Sequence, residues 1–238
     1  MNAPLARLST ITALLLISCA CVGCGFQSRN VNNCATFTTN GMLDDFLLRD
    51  LGPPGARREN HRRLILGKGR DLNSLAHSLP RLRPTELEAR ECTSTNLDAL
   101  KGITSLRVIT LHSCPALQNL DGIRGLTALR WLYLEKCTSL NNVDGLEGLT
   151  GLKTLKIEGC PSLRDLDALA GLTGMKDLDV RDCRSLQNVD GIKGLTGLRS
   201  IAFIGCTKLS SAALREIRVA FPHAEIYFPD GRRKRGLD

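Results

Sequence analysis

Aromatic side chains are scarce in this sequence: 238 residues hold one tryptophan, two tyrosines and six phenylalanines, 4% of the total. Stacked rings cannot supply the core under that limit, so it has to come from aliphatic side chains in some regular packing. The same scarcity argues against nucleic-acid binding, which calls for a basic face interleaved with aromatics. Histidine occurs four times, at His61, His77, His112 and His223. The nearest approach to a metal site is His112 with Cys114, and sharing an ion there would need a distorted strand. There is no HExxH, no serine elbow and no acid pair with an independent sign of burial. The string Gly148-Leu149-Thr150-Gly151-Leu152-Lys153-Thr154 lacks the glycine that a phosphate loop places directly before its Lys-Thr pair. No cofactor, metal, small-molecule substrate or catalytic residue is expected.

Charge is present but not concentrated. The net value is +8, with 12 basic and 7 acidic residues in 1–90, 14 and 13 in 91–209, and 6 and 4 in 210–238. The middle of the chain is therefore nearly neutral. The run Arg232, Arg233, Lys234, Arg235 reads as a solvated basic tail over 229–238.

The N-terminus has a lone Arg7, an apolar run from Ile11 to Ile17, and then small residues and cysteines, the pattern of a secretory signal over 1–18. Within it, Leu16-Ile17-Ser18-Cys19 resembles the bacterial lipobox, in which an aliphatic, a variable and a small residue precede a cysteine. The resemblance implies lipidation of Cys19, cleavage before it and a membrane-anchored protein of the bacterial cell envelope. Cys21 and Cys24 are alternative acceptors, and an uncleaved signal anchor is the competing reading. Residues 19–40 are polar and aperiodic and read as a flexible tether.

Cysteine is abundant, and it sets a register. Cys92, Cys114, Cys137, Cys160, Cys183 and Cys206 follow one another at intervals of 22, 23, 23, 23 and 23. Aliphatic residues keep fixed offsets from each: for Cys160, Leu152, Leu155 and Ile157 before it, and Leu163, Leu166, Leu169 and Leu172 after it. The spacing of two before the cysteine is that of a strand with one buried face, and the spacing of three after it suits a tight 3₁₀-like return. One strand and one return cannot bury an apolar face alone, so successive units must stack.

The frame LKTLKIEGCPSLRDLDALAGL resembles a leucine-rich repeat with cysteine where asparagine is commoner, and its second half is similar to the internalin-like class. The resemblance covers residues 61–228. It implies an α/β solenoid, an arc with a parallel concave sheet and short helical or 3₁₀ returns, whose members most often bind other macromolecules. Repeats occupy 91–209. Residues 41–90 form an N-terminal cap, with a helix at Met42 to Leu51, and a degenerate first repeat in which Gly69 stands at the cysteine position while Arg81 and Pro84 replace leucines. Residues 210–228 form a helix–strand cap, with Ala213, Leu214, Ile217, Ala220 and Phe221 on the inner face of the helix. The cysteines themselves are expected to form a structural ladder of free, buried thiols, because parallel Cα–Cβ vectors hold neighbouring Cβ atoms too far apart for disulfides.

Side chains six, four, two and one residues before each cysteine are expected on the concave sheet. There Trp131 and Tyr133 stand on one rung near the middle, with His112, Glu135, Lys156 and Glu158 around them. Further along, Asp177, Asp179 and Asp182 make an acidic group beside Arg181. A protein partner with an apolar anchor and a basic group fits that set. A structural envelope spacer without a specific ligand, or a cytosolic or signal-anchored repeat adaptor, are the alternatives.

Overall fold

A computed structural model of the chain describes residues 34–39, 42–50 and 62–235, with side chains over 62–232. The 1–18 signal, Cys19, Cys21 and Cys24 lie outside the described residues. The described strands form one eleven-stranded sheet in sequence order. β3 (Arg62–Leu66), β4 (Glu86–Arg90), β5 (Val108–His112), β6 (Trp131–Glu135), β7 (Thr154–Glu158), β8 (Asp177–Arg181), β9 (Ser200–Ala202) and β10 (Glu225–Tyr227) are successive parallel rungs. β1 (Cys34–Thr39) and β2 (Met42–Asp50) add antiparallel at one end, and β11 (Arg233–Arg235) at the other.

Each rung obeys the alternation read from the sequence. In β7, Leu155 and Ile157 are fully buried while Thr154, Lys156 and Glu158 stand half-exposed on the other side. Equivalent residues pair directly between strands, Trp131 with Thr154 and Thr154 with Asp177, so the fixed offsets become straight columns. The leucines meet in one continuous core running from Leu64 to Phe228. Because each turn covers its neighbours, no single repeat has to bury its face alone.

The residue just before each cysteine leaves the strand in the left-handed conformation, at φ 53° for Ser113 and Lys136 and 52° for Asp182, with glycine at 159 and 205. The ladder nevertheless continues through it: Lys136 N donates to Glu158 O at 2.8 Å and Asp182 N to Ile204 O at 2.8 Å. The residue lies past the strand end, at the corner of the sheet.

The five returns that follow Cys92, Cys114, Cys137, Cys160 and Cys183 each hold a three-residue 3₁₀ turn that opens on aspartate: Asp98–Leu100, Asp121–Ile123, Asp144–Leu146, Asp167–Leu169 and Asp190–Ile192. Two residues ahead of each, an Asn or Asp side chain accepts from the aspartate N–H, as Asn188 Oδ1 does from Asp190 N at 2.8 Å and Asn142 Oδ1 from Asp144 N at 3.2 Å. This local bond holds the chain at the point where it reverses. Gly145 packs so tightly on the previous turn that a Cβ would sit 2.0 Å from Leu120 O. Its role in the Asp-Gly pair is close approach between turns.

The ends depart from expectation in several places. Met42–Asp50 is a strand, β2, rather than the helix its apolar spacing suggests. Pairing with β3 satisfies the N–H and C=O groups along the outer edge of the first rung, which a helix would leave open. The tether expected over 19–40 contains β1, Cys34–Thr39. In the first return, a 3₁₀ turn (Leu72–Leu75) is followed by the short helix α1 (Leu79–Leu82), which puts Leu79 into the core where the leucine frame drifts. At the far end, α2 (Ser211–Ala220) is capped by Ser210 Oγ, which accepts from Ala213 N at 3.1 Å. Ile217 and Phe221 are buried and Ala213 and Leu214 partly so, but Ala220 is exposed, because it lies beyond the reach of the last turn. The Arg218 guanidinium lies 5.1 Å from the Phe228 ring centre and ties α2 to the strand that closes the core. Part of the predicted basic tail is β11, hydrogen-bonded to β10.

Candidate protein-binding face

Three columns of side chains project from the concave side. The first runs Arg63, Glu86, Val108, Trp131, Thr154, Asp177, Ser200, Glu225; the second Ile65, Glu88, Thr110, Tyr133, Lys156, Asp179, Ala202, Tyr227. The third contains Arg90, His112, Glu135, Glu158 and Arg181. In β4 to β8 the residues expected on this face from six, four and two before the cysteine lie in these columns, whereas those one before it, Asp182 among them, stand at the left-handed corner.

Trp131 is 40% exposed; among the described residues Val219, on α2, is the other exposed large hydrophobic side chain. Tyr133 stands two residues along the same strand and is half-buried. Around this aromatic rung the charged groups are paired. His112 Nδ1 lies 2.8 Å from Glu135 Oε2. Partial burial works to raise the Glu135 pKa, but His112 and Lys136 outweigh it and hold the carboxyl below its ordinary range. Lys156 Nζ is 2.9 Å from Glu158 Oε2, and that contact raises the lysine. Arg181 Nε donates to Asp179 Oδ1 at 2.7 Å, and Thr154 Oγ1 to Asp177 Oδ2 at 3.3 Å. Arg181 thus divides the expected acidic group and shares its charge with Asp179. Counted from β3 to β10, the three columns carry seven carboxylates and four Lys or Arg, a net of −3. A protein of net charge +8 therefore turns an acidic face to whatever docks there.

Two features of the face were not anticipated. Glu88 is only 4% exposed, held between Arg63 and Arg90. The offset of Arg63 from the cysteine frame could have placed it beside Glu86 and Glu88, but the degenerate first repeat hides that register. β10 also continues the columns with Glu225 and Tyr227, whose hydroxyl lies 3.4 Å from Glu225 Oε2.

Behind the sheet corner, the cysteine column is buried throughout. Cys137, Cys160 and Cys183 each donate Sγ–H to the carbonyl two residues back, Glu135 O and Glu158 O at 3.7 Å and Arg181 O at 3.4 Å. The hydrogen bond with Cys137, then that with Cys183 and burial, push the Cys160 thiol up. Cys92 and Cys114 depart from the expected ladder of free thiols and form a disulfide, with Cα atoms 4.9 Å apart. They bound the one interval of 22; Cys137, Cys160, Cys183 and Cys206 are free. Among the described residues no group of His, Cys, Asp and Glu is arranged to hold a metal.

A profile of the leucine-rich repeat domain of the endo-β-N-acetylglucosaminidase EndoS matches residues 109–191. Similar solved structures include the leucine-rich repeat domain of the type III effector XCV3220 (XopL), with 20% identity over 69% of this chain and 66% of that one and a TM-score of 0.47. An internalin (inlF) from Listeria monocytogenes is 15% identical over 68% of this chain and 66% of its own, with a TM-score of 0.31. A leucine-rich repeat protein of T. pallidum is 17% identical over 70% and 91%, with a TM-score of 0.23. The chain spans just under two thirds of the first two of these structures. No curated protein matches the sequence. The repeating leucine frame, the eight parallel rungs and the 3₁₀ returns give residues 62–235 a leucine-rich repeat fold, and the matched profile covers residues 109–191 of it.

Proposed function

We propose that the chain is a non-catalytic binding module, lipid-anchored at Cys19 in a bacterial cell envelope, that docks a protein partner on its concave sheet. The observation that carries the docking site is Trp131, exposed in the middle of a face whose other prominent groups are charged. A large, nearly rigid ring that loses water on contact is the kind of group that dominates interface energetics. The acidic balance of the same face selects a partner with a basic patch. The anchor rests on the residues Leu16 to Cys19.

A photoreactive amino acid at Tyr133, with a control on α2 at the exposed Val219, identifies the protein held against the sheet in intact cells. For that protein, Trp131→Ala is expected to raise Kd about 30-fold, the scale of a hot-spot residue. Asp179→Lys is expected to weaken binding mainly through a slower on-rate at low salt. Unchanged affinity in both variants refutes the docking site. The anchor is tested separately by intact mass: a chain that begins at Cys19 and carries acyl groups supports it, and an unprocessed or unacylated chain overturns it.

A further inference from the structure

The residue seven before each cysteine, just ahead of the strand, is basic in five successive turns: Arg107, Arg130, Lys153, Lys176 and Arg199. Their backbones are in register, each N–H from Arg130 onward donating to the carbonyl of the previous member at 2.8 Å. They form a straight column along the edge where the returns run into the strands, about 4.8 Å apart. The six-residue segments that build this edge are Gly102–Arg107, Gly125–Arg130, Gly148–Lys153, Gly171–Lys176 and Gly194–Arg199. They contain no aspartate or glutamate; their aliphatic residues are buried apart from the half-buried Ala128, and each exposes one threonine.

The cations are seated on the neighbouring turn. A Cβ on Gly151 would lie 2.0 Å from Arg130 Nη1, and one on Gly174 or Gly197 would lie 3.0 Å from Lys153 Nζ or Lys176 Nζ. At these three turns the head of the cation lies over the glycine of the following turn, where the carbonyl of the preceding turn's threonine also approaches, 2.6 Å from a Cβ on Gly174 and 2.9 Å from one on Gly197. The heads reach backbone carbonyls: Lys153 Nζ donates to Gly174 O at 3.2 Å, Lys176 Nζ to Gly197 O at 3.4 Å, and Arg130 Nη1 to Thr127 O at 2.9 Å. Arg130, Lys153, Lys176 and Arg199 form no ion pair with a carboxylate among the described residues. The cations one column away behave differently: Lys101, Arg124 and Lys193 are paired with Asp98, Glu147 and Asp190.

We infer that this edge is a second binding surface, which takes a linear polyphosphate, a chain of anionic groups without bases, laid along the column. A single file of cations flanked by hydroxyls matches a chain of anionic groups better than a two-dimensional surface, which would need several adjacent columns of one sign. No aromatic side chain lies on the edge to stack bases, as single-stranded nucleic acid requires. No exposed apolar group lies there to enter a bilayer. The site is distinct from the concave face and does not depend on what docks there.

The test uses the full-length chain and inorganic polyphosphate of about 15 units as the probe, with binding measured across a salt series. Wild type is expected to show a log–log salt slope of about −3 to −4, corresponding to four or five neutralised anionic groups. Lys153→Gln with Lys176→Gln is expected to weaken binding at least about 10-fold and to flatten the slope by about 1.5. Lys101→Gln with Arg124→Gln removes the same charge from the paired column and leaves Kd within about twofold, whereas Lys153→Arg with Lys176→Arg retains binding. Equal losses in the two Gln pairs would show a response to net charge alone and overturn the site, as would the absence of binding by wild type. Tighter binding of anionic phospholipid vesicles or of an oligothymidylate, with the same dependence on Lys153 and Lys176, overturns the assignment of the occupant.

Discussion

Cys160 sits in the centre of the free-thiol column, fully buried, with its Sγ–H aimed at Glu158 O over 3.7 Å. If the column is there to fill space, Cys160→Ala loses about 1 kcal/mol of transfer free energy for the buried sulfur. A void of sulfur size adds roughly 0.5 kcal/mol at about 24 cal/mol per Å³. The weak hydrogen bond contributes a few tenths more at most, so the expected loss is about 1.5–2 kcal/mol. Cys160→Ser preserves a donor but carries it on a shorter bond into an aliphatic pocket, where a poorly bonded hydroxyl costs about 1–3 kcal/mol. The packing account therefore makes serine at least as damaging as alanine. Urea unfolding followed by circular dichroism, under reducing conditions, gives both values from the shift in midpoint at constant slope. A loss below about 0.3 kcal/mol for alanine, or a serine variant more stable than the alanine one by over about 1 kcal/mol, would falsify the argument.

Other consequences follow from the same geometry. Alkylation of the native protein leaves Cys137, Cys160, Cys183 and Cys206 unlabelled, and peptide mapping recovers Cys92 linked to Cys114; rapid native labelling of the four contradicts their burial. Asn142→Ala removes the acceptor for Asp144 N and is expected to cost about 1 kcal/mol, measured by the same urea titration. Burial works to raise the Glu88 pKa, but hydrogen bonds and charge from Arg63 and Arg90 outweigh it and set it below the reference 4.5. As pH falls, the unfolded chain takes up this proton first. The stabilisation is complete above the unfolded value and is lost as pH drops through the lower folded one. Glu88→Gln is accordingly less stable than wild type at pH 7, and the difference shrinks as pH falls below the unfolded value and through the lower folded one; a gap independent of pH refutes the ionic role.

The sequence made the interior legible because burial is periodic there. Leu155 and Ile157 can exchange neither with Thr154 nor with Lys156 without turning a strand inside out, so spacing alone assigns their sides. The concave residues followed from the same register, and Trp131, Lys156 and Asp179 stand where the cysteine offsets put them. The ends were harder. Met42 to Asp50 has apolar residues that suit a helix as well as a strand, and the choice is made by the unsatisfied edge of β3, a tertiary fact with no local signature. The bond between Cys92 and Cys114 joins two members of a column whose spacing in the sequence looks like that of the free ones, so the regular ladder does not reveal it. The Asn or Asp two residues ahead of each 3₁₀ turn was visible as a column, but its meaning appears only once its oxygen is seen to accept from the aspartate N–H.

The columns six and seven residues before the cysteine are adjacent in sequence, yet one lies on the acidic concave face and the other is basic in all five turns. The sign changes across a single peptide bond from Lys176 to Asp177, and the charge is lost across one from Lys153 to Thr154. The leucine frame requires neither charge, since both positions point away from the core. What separates them is where the return ends: the residue seven back still belongs to the approach, and the residue six back is the first of the strand. A one-residue slip in register would carry the basic column onto the sheet and drive its leucines outward. Burying Leu152 and Leu155 therefore does more than stabilise a turn, because it keeps two surfaces of opposite charge apart.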